Sequence, residues 1–187
     1  MATVSQATQH VLTAEEFAIR PDPGYPEELV RGRIVAMPMP GARLGKICAK
    51  VARILGNQVD DHDLGHVLSN DSGVITERGP DSVRGADVSF YSYGRLPKGT
   101  ITEGYPNVPP DLVVEVLSPH DRWPKVLAKV AEYLNAGVSV VTVLDPEKKT
   151  LHLYAGDEPV RNLEEADELS LPAIFGDFHV GVGSLFV

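Results

Sequence analysis

The chain has a single cysteine, Cys48, which excludes internal disulfides and any zinc site built on cysteine thiolates. No uncharged apolar run approaches the roughly 18 residues that cross a bilayer, and MATVSQATQHVLTAEEF shows no basic start followed by an apolar stretch. The expectation is a cytoplasmic protein without a secretory leader or a membrane partner. Gly-rich phosphate-cradling motifs of both nucleotide-binding kinds are missing. So is the Gly-x-Ser-x-Gly elbow, and Ser118, His120 and Asp121 lie too close together in sequence to form a hydrolase triad. Basic charge is in deficit as well: 17 Lys and Arg face 26 Asp and Glu, a net charge of -9. That argues against a protein living mainly on non-specific phosphate contacts. The deficit is uneven, because Asp157, Glu158, Glu164, Glu165, Asp167 and Glu168 crowd one stretch opposed only by Arg161.

What is present is an ordinary globular composition, 43% hydrophobic and 23% charged, over 187 residues, the usual size of one domain. Thr13 caps a short helix through Phe17, and the segment up to residue 26 reads as helix and linker. Glu28–Val30 and Arg33–Met37 flank Arg31-Gly32, the pattern of a β-hairpin. From Ala42 to Gln58 the apolar residues Leu44, Ile47, Cys48, Val51, Ile54 and Leu55 follow helical spacing. Arg43, Lys46, Lys50 and Arg53 form a basic stripe beside them, either a solvated face or a short phosphate-tracking surface. Strand-like stretches follow at 66–69, 73–76 and 85–92, then a Pro- and Gly-rich loop, then 111–118. A second helix is predicted from Asp121 to Ala136, with Val126, Leu127, Val130 and Leu134 as its apolar face. Strands at 138–145 and 150–154, an acidic loop and a last strand at 178–182 complete the chain. Hairpin, helix, strands, helix, strands make a mixed α/β sheet flanked by helices rather than a repeating βα wheel.

The most informative segment is Asp111–Pro119. Leu112 to Leu117 is apolar on both faces except at Glu115, as in a covered central strand. A lone carboxylate there costs several kcal/mol unless a cation or strong donors meet it. In the stretch Arg84–Phe90, Ala86, Val88 and Phe90 alternate with Asp87 and Ser89, which points Asp87 from the opposite face. If the two strands pair, Asp87 and Glu115 converge, and two close carboxylates favour a hard divalent cation such as Mg²⁺ or Mn²⁺. Lys129, in the following helix, can carry its ammonium back toward the strand end. Its rival reading is a solvated lysine. His62 and His66 sit among loop-like residues and are set aside as ligands, and Trp123 reads as a packing anchor.

In order along the chain stand Glu28-Leu29-Val30-Arg31-Gly32, Ala86-Asp87-Val88-Ser89, Pro110 to Pro119, and Lys129-Val130-Ala131-Glu132-Tyr133-Leu134-Asn135-Ala136-Gly137-Val138. Together these resemble the Uma-two (Uma2) family of restriction-endonuclease-like domains in the PD-(D/E)XK nuclease superfamily, from about Leu12 to the C-terminus. The resemblance implies one nuclease-like domain over 1–187, its core at 27–187 with the N-terminal hairpin added. It implies a Mg²⁺-dependent endonuclease acting on DNA, with Asp87 and Glu115 as metal ligands and the Val116 carbonyl as a further one. Lys129 would take the place of a lysine that the superfamily carries two residues after the Glu, a position held here by Leu117. Glu28 would support the site, Arg43, Lys46, Lys50 and Arg53 would contact DNA, and a homodimer would cut both strands. Two residues depart from the family pattern: Leu44 stands where a His is frequent, and Lys125 where an acidic residue often precedes the lysine by four. The rival expectations are a fold relative that binds DNA or a protein without turnover, and a hydrolase of another phosphoester.

Overall fold

The computed structural model describes residues 11–101 and 103–187, so the leader expectation, which turns on residues 1–10, lies largely outside the described residues. Among the described residues no helix is long and apolar enough to cross a membrane. Thr13 caps α1 (Ala14–Ala18) in a reciprocal box with Glu16. The hairpin forms from β1 (Glu27–Val30) and β2 (Arg33–Ala36), with Arg31 and Gly32 both at the positive φ that a two-residue turn demands. Helix α2 (Ala42–Asp61) buries Ile47, Val51, Leu55 and Val59 along one stripe.

The stretches at 66–69 and 73–76 are two halves of one strand, β3 (Gly65–Glu77), which pairs with β4 (Ser82–Ser92). A bulge separates the halves. Ser69 faces Val88 and Ser72 faces Ala86, so Asn70 and Asp71 together oppose Asp87. Both bulge residues lie at positive φ, 66° and 53°, which Asn and Asp tolerate better than most residues. β5 (Leu112–Val116) continues the sheet antiparallel to β4 and parallel to β6 (Val140–Asp145), with α3 (Trp123–Asn135) as the crossover that a parallel pair requires. β7 (Thr150–Tyr154) and β8 (Arg161–Leu163) extend it, giving the order β2-β1-β4-β5-β6-β7-β8 with β3 also on β4.

The two helices take opposite faces. Leu112, Val114 and Val116 pack with the α2 stripe, whereas Val113, Val141 and Val143 pack with Val130 and Tyr133 of α3. Three expectations change here. Ala86 joins the α3-side cluster while Val88 and Phe90 join the α2 side, so the apolar residues of β4 do not keep one face; the strand turns over at Asp87, where the bulge interrupts its pairing. Leu127 is 45% exposed, because Val126, Val130 and Tyr133 set the inward stripe of α3 and Leu127 is about 100° around from Val126. The acidic stretch read as loop holds β8 and also β9 (Glu168–Ser170), which pairs with β10 (His179–Gly181) after the short α4 (Pro172–Phe175). Three-residue strands are too brief to show alternation. Leu169, Leu171, Phe175 and Leu185 from this region close the core beside α2.

Candidate functional site

The β4–β5 ladder matches Phe90 with Leu112, Ser89 with Val113 and Val88 with Val114. One further step places Asp87 opposite Glu115, and there the ladder opens. The Val116 N–H, instead of reaching the β4 backbone, donates to Asp87 Oδ2 at 2.6 Å. Asp87 thus sits where pairing is disturbed on both sides, by the bulge of β3 and by the splay from β5. Its carboxylate lies in the seam and is felt from both helices: Cys48 of α2 lies against it, and Lys129 of α3 acts on it electrostatically.

Glu115 is held from α3. Lys129 Nζ donates to Glu115 Oε2 at 2.9 Å and Tyr133 OH donates to Oε1 at 2.8 Å. The same two side chains reach the Gly85 carbonyl, at 2.9 and 3.3 Å. Lys129 also lies 3.3 Å from Glu28 Oε1. Behind this set stands a clamp. Arg84 grips both Glu132 oxygens, at 2.6 and 2.8 Å, and reaches Glu28 Oε2 at 2.8 Å. Glu28 is 4% exposed and takes the Gly85 N–H on its other oxygen. It is therefore a buried counter-charge tying β1, β4 and α3 together.

The electrostatics follow from this crowding. Burial, then the neighbouring Glu115 charge, raises the Asp87 carboxyl to about 7, against the pull of the Val116 N–H and Lys129. Burial also raises Glu115, opposed by Lys129 and Tyr133. Lys129 is pushed up although burial opposes it, because Glu115 and Glu28 favour the ammonium. Tyr133 rises well above its ordinary range through burial and Glu115, so it remains a phenol that donates. Burial pushes the Cys48 thiol up, with Asp87 adding to the effect, which leaves it a poor nucleophile.

Asp87, Glu115 and Lys129 are thus brought to one place, with Glu28 one bond behind. The basic stripe is not. At about 100° per residue, Lys46, Lys50 and Arg53 lie on the α2 side turned away from Cys48. Arg43 is the member tied to the body of the protein, donating to the Pro146 carbonyl. Three features were missed in the sequence. Tyr133 stands in the sequence only as one letter of a family motif, the Arg84–Glu132 pairing joins residues 48 apart, and Asp71 enters the field of Asp87 only through the bulge.

Among the described residues no group of three or more His, Cys, Asp or Glu side chains could hold a metal ion. Two carboxylates remain compatible with Mg²⁺, which takes one or two of them and fills its shell with water and substrate phosphate. Burial first, and the Glu115 charge second, disfavour an ionised Asp87, and a bound cation would oppose both.

Residues 14–183 match a family described as "putative restriction endonuclease". Among solved structures, the chain is similar to "a putative nuclease belonging to DUF820" from Anabaena variabilis ATCC 29413. The TM-score is 0.80 and the identity 21%, over 94% of this chain and 97% of that one. At that identity the likeness speaks for the fold. No curated protein matches the chain.

Proposed function

The chain belongs to the Uma2 family, and from that premise we propose that it is a metal-dependent endonuclease hydrolysing DNA phosphodiester bonds. The observation that carries this reading is the opening of the sheet at Asp87, which sets its carboxylate against the amide next to Glu115. Asp87 and Glu115, with the Val116 carbonyl, would hold Mg²⁺ or Mn²⁺. The bound ion supplies Lewis-acid polarisation of the phosphate and a more acidic water. Lys129 is a settled cation with three acceptors around it. That suits it to offset charge on the phosphate oxygens rather than to remove a proton. Glu28 and Tyr133 hold Lys129 and Glu115 in register. A homodimer would supply the two sites that double-strand cutting needs.

Glu115→Ala should abolish Mg²⁺- or Mn²⁺-dependent plasmid cleavage while the chain still unfolds cooperatively. Equal cleavage by wild type and variant, in preparations cleared of contaminating nuclease, rules the site out. One observation favours a second reading, a nuclease fold that binds without turnover: both Glu115 oxygens are already bonded by Lys129 and Tyr133. Calorimetry separates the two, since that reading predicts no Mn²⁺ heat that Asp87→Asn removes.

A further inference from the structure

Between the start of α2, the β5–α3 loop and the β6–β7 turn lies a cavity of about 360 Å³, within the roughly 300–1,000 Å³ range of ligand pockets. Arg43, Leu44, Leu117, Trp123, Asp145 and Lys148 are among its walls. Its walls lie close in the chain to the carboxylates, though neither Asp87 nor Glu115 is one of them. Leu117 is two residues beyond Glu115, and Leu44 is one helical turn before Cys48, which lies against Asp87. Glu28, Lys129 and Tyr133 do not line this space either.

Its walls define the kind of group it fits. Leu44 and Leu117 contribute aliphatic surface. Trp123, the chain's only tryptophan, contributes a half-buried indole steadied edge-on by His152 at 4.8 Å. The charged groups are mostly engaged with each other or with backbone. Arg43 donates to the Pro146 carbonyl, Asp121 accepts the Ser118 N–H, and Asp145 accepts the Glu147 and Lys148 N–H groups with the Lys148 ammonium 3.7 Å away. Asp121, Asp145 and Glu147 outnumber Arg43 and Lys148, which disfavours a second phosphate. A flat, uncharged ring is what the space suits. A DNA strand whose phosphate lies at Asp87 and Glu115 carries such a ring on the adjoining nucleotide.

We infer that this cavity receives one unpaired nucleobase of the cleaved strand, packed against Trp123. The inference rests on the nuclease reading but narrows it from double-strand cutting to single-stranded or frayed DNA, because a base paired in duplex is not available to stack on an aromatic wall.

Trp123 is the only tryptophan fluorophore, so its emission reads the cavity directly. The full chain in Ca²⁺ is titrated with a short single-stranded oligodeoxynucleotide and with a blunt hairpin duplex. The single strand should quench saturably and the duplex should not. By anisotropy of a labelled strand, Trp123→Leu should bind roughly ten-fold more weakly or worse, with Trp123→Phe close to wild type. Equal quenching by the duplex, no binding of the single strand, or a bound strand without quenching overturns the inference. The wild-type quench needs no variant, so misfolding of Trp123→Leu leaves the test intact. A wild type that quenches while Glu115→Ala cleaves normally keeps the cavity and removes the nuclease reading. Cleavage that depends on Glu115 without any quench does the reverse.

Discussion

The Asp87 carboxyl titrates near 7 in the folded chain against an ordinary 3.8, so the fold favours its neutral form. Stability from the protonated group is whole below about pH 4 and is lost as pH rises through about 7. The metal-free chain should therefore melt at a lower temperature near pH 8 than near pH 5. Asp87→Asn should flatten that slope, and Mg²⁺ or Mn²⁺ should offset the loss at the higher pH. Calorimetric melts across that window check it, and identical slopes for wild type and variant refute it. Tyr133 offers a second test at this scale. Tyr133→Phe removes the phenol donor from a Glu115 oxygen, and leaving a buried acceptor unsatisfied costs about 1–3 kcal/mol. Urea unfolding should show that loss, and cleavage should lose kcat more than KM. Glu115 stands out in the sequence because a charge inside an apolar strand contradicts its surroundings, whereas Asp87 and Lys129 gain weight only beside it and through the motifs shared with the family. Tyr133 does not stand out, since a tyrosine on an apolar helix face contradicts nothing until its hydroxyl finds a carboxylate.

At the scale of elements, the Arg84 clamp fastens α3 to β4 and, through Glu28, to β1. Arg84→Leu would leave Glu28 buried without its guanidinium. Breaking such a pair costs about 3–5 kcal/mol, and the lower end applies because the Glu132 side chain is 36% exposed. Denaturant midpoints measure this, and restoring part of the loss with Arg84→Leu/Glu28→Gln would assign it to the stranded charge. The hairpin, α2, β5 and α3 could all be read from period and turn residues, which are local signals. The turnover of β4 could not. It follows from a bulge in a neighbouring strand, and the alternation of Ala86, Val88 and Phe90 gives no sign of it.

For the whole molecule, a net charge of -9 leaves little general attraction for DNA, so the few exposed cations matter. Lys46, Lys50 and Arg53 make no ion pair among the described residues. Replacing all three with Gln should lower the slope of log affinity against log salt by about one for each phosphate that the stripe neutralises. Anisotropy titrations at several salt concentrations measure that slope. An unchanged slope identifies the stripe as a solvated face.

The extra residue in β3 also sets the phase of the strand on either side of it. With two residues of β3 set against one of β4, removing Asn70 or Asp71 would join the halves into a single register, Ser69 still facing Val88 and Ser72 still facing Ala86. Val74, 1% exposed in the α3-side cluster, would keep its place opposite Arg84. A one-residue deletion is thus compatible with the ladder on both sides, and its effect falls on the bend opposite Asp87 alone.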